Sequence, residues 1–442
     1  DWPSTVAIET AFGSQFCGGS LVAPRWVLTA GHCLLYPSSS VDVLVGSVDL
    51  AHGGERIDVV RQLRNPRYRV AVPGAPRHDL MLLRLARASS APAIAIAADG
   101  TGAAPQTLLH VAGWGATSYR AVDDSFGPSS NVLRQTAVRV RADGVCARAY
   151  GRAYAKATML CASLPHRDAC AGDSGGPLTR GVGPSALLVG VVSWGTGCAL
   201  APYPGVYARV ASAHCWIAAV IGPPQAPAAV ALAEGTGSLQ VDWSWTRPCH
   251  DAPRPAGFAV RIAETGTLVR TGPDARRVVL DGLPDGRSLT VTVSAFNVNG
   301  EGDARSATAT TGANPVLATR VRWTGYRTGT VAFTLAAHAA PVRWRVEAGP
   351  LLRVAAGPWH SAAASAQQQT LTVALAGLPV GRAVDVRIGV DEGTRIAHGA
   401  PAEPPRPLAP ALLGRVRVRG AAVVGAVVRC AIGRWTGTRP FE

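Results

Sequence analysis

Lysine is almost absent from this chain: of its 43 basic side chains only Lys156 is one, and the rest are arginine. Acids are also scarce, 28 in 442 residues, so the formal net charge is +15. A basic chain of this kind can favour nucleic acid or anionic surfaces. Here the arginines are scattered along the sequence rather than clustered, and Ala, Gly and Pro are abundant. The excess therefore reads as biased residue usage, and nucleic acid is not expected as a partner. No apolar run approaches the roughly 20 residues a membrane-spanning helix requires, so no membrane span is expected. No Cys-x-x-Cys pair with a matching His or Cys set occurs, which argues against structural zinc. The stretch "GSVDLAHGGERID" has too few spaced acids to suggest calcium, and no pattern calls for a cofactor. No secretory leader is visible; the opening "DWPSTVAIE" reads like the middle of a domain.

Nine cysteines are present. Six fall between Cys17 and Cys198; Cys215, Cys249 and Cys430 lie beyond. An oxidising, secreted or extracellular setting is the better reading of this usage.

The length allows roughly three domains. From residue 1 to about 221, short β-like runs such as "TVAIETAF", "VDVLVGSVDL" and "ALLVGVVSWG" alternate with Gly/Pro turns, a pattern of barrels and sandwiches. "VASAHCWIAAVIG", residues 210–222, has the apolar spacing and terminal Gly of one short amphipathic helix. After the linker "GPPQAPAA", alternating strands resume. "LDGLPDGRSLTVTV" from Leu280 recurs as "LAGLPVGRAVDVRI" from Leu375, a 95-residue period. The repeat implies two related β-sandwich modules, at 225–312 and 315–398, followed by a tail at 408–442 that begins another β pattern.

The chemistry centres on "RDACAGDSGGPL", residues 167–178. Gly-Asp-Ser-Gly-Gly alone is good turn chemistry. A serine hydroxyl becomes a useful nucleophile only when an oriented base takes its proton. Upstream, "LTAGHC" supplies His32 after a strand-like run, and "RHDLMLLRL" supplies Asp79 at the head of an apolar strand. Each alone is weak: a lone His is more often structural, and an Asp before a strand is usually a turn or cap.

Taken in order, "FCGGSLVAPRWVLTAGHC", "HDLMLLRL", "VAGWGAT", "MLCAS", "DACAGDSGGPL", "SWGTGC" and "PGVYARV" resemble the trypsin-like serine proteases of the chymotrypsin family. The likeness covers about half the chain and implies an all-β fold, two six-stranded barrels with the active site in the cleft between them. On that resemblance His32 is the general base, Asp79 its orienting acid and Ser174 the nucleophile, with the backbone N–H groups of Gly172 and Ser174 as the oxyanion hole. Asp168, six residues before Ser174, corresponds to the floor of the primary specificity pocket. A carboxylate there favours Arg or Lys in a protein or peptide substrate, through a charge-assisted pair in a desolvated slot. Gly195 and Gly205 match wall positions where larger side chains block access, and Ser193, Trp194 and Gly195 match the strand that pairs with substrate backbone.

The resemblance also selects three disulfides, Cys17–Cys33, Cys146–Cys161 and Cys170–Cys198. A Cys215–Cys249 bridge would tie the terminal helix to the next module, the alternative being two free thiols.

The amino terminus departs from the family pattern. Active members carry a freshly cut Ile/Val-type terminus that pairs with the acid before the catalytic serine, here Asp173, whereas this sequence first matches the family downstream of that terminus. Truncation of a longer product is the preferred expectation, and with it a zymogen-like, weakly active chain.

Residues 225–312 resemble a fibronectin type III domain through "VDWSWTRP" and "LPDGRSLTVTVSAFNVNGEG". The tyrosine usual in that later strand is Leu289 here and Val384 in the second copy. The tail resembles the start of a bacterial Ig-like repeat, in which Cys430 has lost its partner. Such modules space or dock an enzyme, so extracellular-matrix or cell-wall contact is a candidate role. Their tryptophans are expected in the sandwich cores rather than on a polysaccharide surface. The leading expectation is a secreted endopeptidase cutting after Arg or Lys; the rival is a non-catalytic adhesion protein that keeps the protease fold.

Overall fold

The computed structural model describes residues 2–98, 103–235, 237–313, 316–325, 328–336, 341–349, 355–376, 385–391, 396–398, 411–412, 417–419, 429–431 and 435–436. The chain divides into two compact units. Unit 1 comprises Asp1–Gln225, Thr246–Ala256 and Ala295–Gly302; unit 2 comprises Ala226–Trp245, Gly257–Ser294 and Asp303–Glu442.

Unit 1 opens with β1 (Thr5–Thr10), β2 (Gln15–Ala23), β3 (Trp26–Thr29), β4 (Val41–Val45), β5 (Glu55–Arg64), β6 (Arg69–Val72), β7 (Ala75–Arg77) and β8 (Met81–Leu85). Six of these close a barrel in the order β1-β2-β3-β8-β5-β4. Alternation directs the inward face: on β5, Ile57 and Val59 are buried while Arg56, Asp58 and Val60 are exposed. β8 is apolar at four of its five positions because it lies at the centre of the barrel wall; only Arg84 is partly exposed.

Then follow β9 (Ala95–Ile96), β10 (Leu108–Gly113), β11 (Tyr119–Arg120), β12 (Ser125–Phe126), β13 (Arg134–Val140), helix α1 (Asp143–Tyr150), β14 (Met159–Ser163), β15 (Pro177–Arg180), β16 (Leu187–Trp194) and β17 (Gly205–Arg209). The order β15-β10-β13-β14-β17-β16, with β16 pairing back onto β15, closes a second six-stranded ring. Its core is built from Leu109, Val111, Val138, Leu160, Leu178 and Val189. The two-barrel architecture expected from the sequence is thus present. Helix α1 was not foreseen, its eight residues being polar on most faces; buried Cys146 anchors it. The expected C-terminal helix is a 3₁₀ turn, Val210–Ala213, running into α2 (His214–Ile221).

In unit 2 the first module has β18 (Ala229–Gly235), β19 (Ser238–Ser244), β20 (Gly257–Ile262), β21 (Thr267–Thr271), β22 (Arg277–Asp281), β23 (Ser288–Asn297) and β24 (Gly300–Thr310). A three-stranded sheet, β18-β19-β22, accompanies a four-stranded one, β21-β20-β23-β24. Trp243 of β19 and Phe258 of β20 meet with ring centroids 5.4 Å apart, so the two sheets share a core. Leu289 is buried at the position where the resemblance expects tyrosine. The next module has a three-stranded sheet and a five-stranded one, with Phe333 packed edge-on to Trp344. Trp243, Trp245 and Trp344 are buried, as the core reading expected. Val384 and most of 408–442 lie outside the described residues, as does the Cys430 side chain.

Two segments that the sequence assigns to the first sandwich module, 246–256 and 295–302, cluster with unit 1. Covalent and polar links account for it: Cys215 of α2 is bridged to Cys249. The Asn299 side chain donates to the carbonyls of Val220 and Gly222 and accepts from Trp26 Nε1.

Candidate active site

His32 stands in a short 3₁₀ turn, Gly31–Cys33, just after β3, and Cys33 is bridged to Cys17 of β2. That bridge occupies both sulfurs, so the cluster of Cys17, His32 and Cys33 offers no thiolate to a metal. Asp79 lies immediately before β8, almost fully buried at 1% exposure. Its Oδ1 accepts from the His32 backbone N–H at 2.8 Å, and its Oδ2 lies 2.7 Å from His32 Nδ1. A third donor, the Ser193 hydroxyl, reaches Oδ2 at 2.5 Å. The carboxylate is therefore held from several sides before it touches the imidazole.

Ser174 lies in the turn before β15, and this turn is fastened to the segment that carries His32. Gly18 N donates to Ser174 O at 2.7 Å, and Cys33 Sγ lies 3.8 Å from that same oxygen. Gly175 has φ +83°, and a β-carbon there would collide with Thr29 Oγ1, immediately before Ala30-Gly31. Only glycine combines that backbone angle with that approach. Ser174, His32 and Asp79 are thus brought together. The Ser174 hydroxyl makes no hydrogen bond to the His32 ring among the described residues; such bonds commonly tighten only when substrate is present. The N–H groups of Gly172 and Ser174 carry no hydrogen bond to protein among the described residues.

Beside Ser174 a cavity of about 170 Å³ is lined by Asp168, Ser193, Trp194, Gly195 and Gly205. Asp168 accepts from Ala169 N at 2.9 Å and Ala199 N at 3.0 Å. Burial pushes its carboxyl up to about 6, against the lowering effect of those two amides, and the neighbouring charge of Asp173 adds to the rise. A β-carbon on Gly205 would collide with Asp168 Oδ1, so glycine there keeps the carboxylate open to the cavity. The Cys170–Cys198 bridge ties the segment after Asp168 to the opposite wall, and Cys146–Cys161 fastens α1 to β14. All three disulfides implied by the resemblance are present, with the fourth described above.

Asp173 points away from Ser174. Its oxygens accept from Gly115 N and Cys170 N, each at 2.8 Å. Burial raises its carboxyl, opposed by those amides. No cation pairs with it among the described residues. It borders a second cavity of about 390 Å³, lined also by Gly113, Gly115, Arg134 and Thr136.

Three contributions escaped sequence reasoning. Ser193 was assigned only to the substrate-pairing strand, yet a register shift between Val192 and Trp194 in the β16–β17 pairing turns its hydroxyl toward Asp79. Phe126, from the β11–β12 hairpin, lines the cavity beside Ser174. Gln15 Nε2 donates to Gly172 O at 2.9 Å and so holds the backbone two residues before Ser174. None carries a local sequence signal, since each depends on partners distant in sequence.

Comparison with known proteins agrees with this geometry. The Trypsin family model matches residues 1–217. Over 228 residues the chain is 38% identical to Trypsin 5G1 of Aedes aegypti, spanning 50% of this chain and 80% of that protein. Over 218 residues it is 38% identical to Trypsin of Saccharopolyspora erythraea, spanning 48% and 88%. Serine protease 56 of Homo sapiens is 36% identical over 230 residues, 49% of this chain and 36% of that protein. With the histidine–aspartate pair, the serine turn and three of the four bridges in the part that the family model matches, the chain belongs to the trypsin family of serine proteases.

Proposed function

We propose that the protein is an endopeptidase that cleaves after arginine, and after lysine, by an acyl-enzyme mechanism. Asp79 holds the Nδ1 proton of His32, which leaves Nε2 to take the proton of Ser174 as its oxygen attacks the scissile carbonyl. The N–H groups of Gly172 and Ser174 receive the developing oxyanion; one such donor is typically worth about 10²–10³ in rate. His32 then returns the proton to the leaving amine, and water releases the acyl group by the same steps.

The observation that carries the specificity is Asp168, a half-buried carboxylate facing a slot whose walls at Gly195 and Gly205 lack side chains. A long cationic side chain fills such a slot and neutralises its floor, and a bidentate guanidinium does so best. Hydrolysis rates on a series of peptide amides differing only at the residue before the scissile bond test this. Arg and Lys are expected to exceed Phe, Leu and Ala by at least about 100-fold in kcat/KM; equal rates would overturn the assignment.

Activity of this chain further depends on Asp173. A buried carboxylate held by two neutral amides ionises at a cost, and a cation in the adjoining cavity would offset it. Without one, the loop from Cys170 to Ser174 is held in a zymogen-like state of low turnover. The four disulfides and the family's usual setting support a secreted or extracellular location, and no helix among the described residues is long and apolar enough to cross a membrane. The sandwich modules at 225–312 and 315–398, which we read as fibronectin type III-like, serve to space the enzyme or dock it to an extracellular surface.

A further inference from the structure

The arginines that look scattered in sequence are not scattered in space. Within unit 1, away from the catalytic cleft, a cavity of about 460 Å³ is lined by Arg61, Arg64, Arg84, Arg247 and Arg254, with Asp251 the one acid. The Asp251 carboxylate is already engaged by Arg67 at 2.7 Å and His250 at 3.0 Å, so it does not neutralise the group. Trp26 and Trp216, both nearly buried, form an apolar back wall.

Two features make this more than a basic patch. Arg61 and Arg84 are direct cross-strand partners on β5 and β8, and Trp26 flanks Arg84 on β3. Like charges directly opposite each other on a sheet repel, and neither has a carboxylate within ion-pairing distance among the described residues. In addition, Arg84 Nε is buried with no hydrogen-bond acceptor among the described residues. A buried charged donor is normally satisfied, because leaving it unpaired is costly. The strand pairing forces these guanidinium groups together, and no described residue supplies an anion to Arg61 or Arg84.

We propose that this cavity is a binding site for a tetrahedral oxyanion, sulfate or phosphate, free or carried as an ester. Arginine forks match such oxygens bidentately, and the low-dielectric wall behind them strengthens the attraction. The anion would sit against Arg84 and Arg61, with Arg64, Arg247 and Arg254 closing around it. Arg64 also stacks on the ring of Tyr68, 4.6 Å from its centroid. That ring in turn occupies the space a β-carbon on Gly31 would need, 2.7 Å away, beside His32. An anion that draws on Arg64 therefore has a packed route to the turn that carries the catalytic base.

The test is calorimetric titration of the full-length Ser174→Ala protein, which cannot digest itself, with sodium phosphate, sodium sulfate and a sulfated disaccharide. Ionic strength is held constant with sodium chloride, and the unsulfated disaccharide is the control. Saturable one-to-one binding is expected, weakened at least tenfold by Arg61→Gln and lost in Arg84→Met, while Arg120→Gln, outside the cavity, leaves it unchanged. Equal affinity for the free ion and the disaccharide would identify a free-anion site; tighter binding of the disaccharide would identify an ester site. If Arg84→Met does not fold, exposed Arg61→Gln and Arg64→Gln decide alone. Absence of saturable binding, or binding that Arg61→Gln and Arg64→Gln leave unchanged, would overturn the proposal.

Discussion

The hydroxyl of Ser193 donates to Oδ2 of Asp79 at 2.5 Å, the same oxygen that faces His32 Nδ1. The two residues are 114 positions apart and come from different barrels. The contact therefore couples the cleft's two sides through one buried carboxylate. Ser193→Ala removes a hydrogen bond to a charged group, worth about 1.5–3 kcal/mol, so kcat/KM is expected to fall roughly 10- to 100-fold. If Ser193 matters only through substrate pairing, KM rises and kcat stays; a fall in kcat identifies the link to Asp79.

Asp168 gives the reaction a pH signature. Its carboxyl is raised to about 6, chiefly by burial, so the free enzyme carries the charge above that pH and loses it below. For an arginyl substrate kcat/KM should fall as pH drops through about 6. Saturating substrate holds the carboxylate ionised, so kcat should fall less. Asp168→Asn should lower kcat/KM on arginyl substrates by on the order of 10²–10³ and remove this component of the profile. In stability the sign runs the other way from a salt-bridged acid. A raised carboxyl favours the folded state most below its ordinary pKa and loses that advantage as pH rises through about 6.

Gly205→Ala tests the slot rather than its charge. The added methyl would meet Asp168 Oδ1, so the carboxylate must shift or be covered. Arginyl turnover should fall at least about tenfold, with labelling of Ser174 by a small phosphonate that does not enter the slot nearly unchanged. Equal loss of both would point to disruption of the cleft instead.

The candidate catalytic residues were recognisable because they sit in runs whose local chemistry is distinctive: a strand ending in "TAGHC", an Asp before "LMLLRL", a glycine-flanked Ser174. The barrels were legible for a related reason, since inward alternation on β5 and the largely apolar β8 follow from strand geometry. What escaped was whatever long-range pairing creates. The bulge that turns Ser193 inward is a property of the β16–β17 register, which no window around "SWG" contains. Likewise Arg61 and Arg84 become neighbours only when β5 pairs with β8. The boundary of unit 1 follows the Cys215–Cys249 bridge and the bonds of Asn299, so linker composition alone placed it too simply.

That bridge spans 34 residues, and its removal is expected to cost about 2–4 kcal/mol. In a Cys215→Ser, Cys249→Ser variant, the denaturant midpoint followed by protease domain activity should drop. Segment 246–256 should also become more susceptible to proteolysis. An unchanged midpoint, or free thiol at these positions in the native protein, would contradict the covalent link.

The most direct measurement is reaction of the protein with a fluorophosphonate bearing an arginine-like side chain, followed by peptide mapping. The account predicts one covalent adduct, on Ser174, lost in His32→Ala and slowed by several orders of magnitude in Asp79→Asn. An adduct elsewhere, or a Ser174 that stays unmodified when Asp173 is supplied with a cationic apolar dipeptide, would contradict the assignment of a nucleophile to this serine.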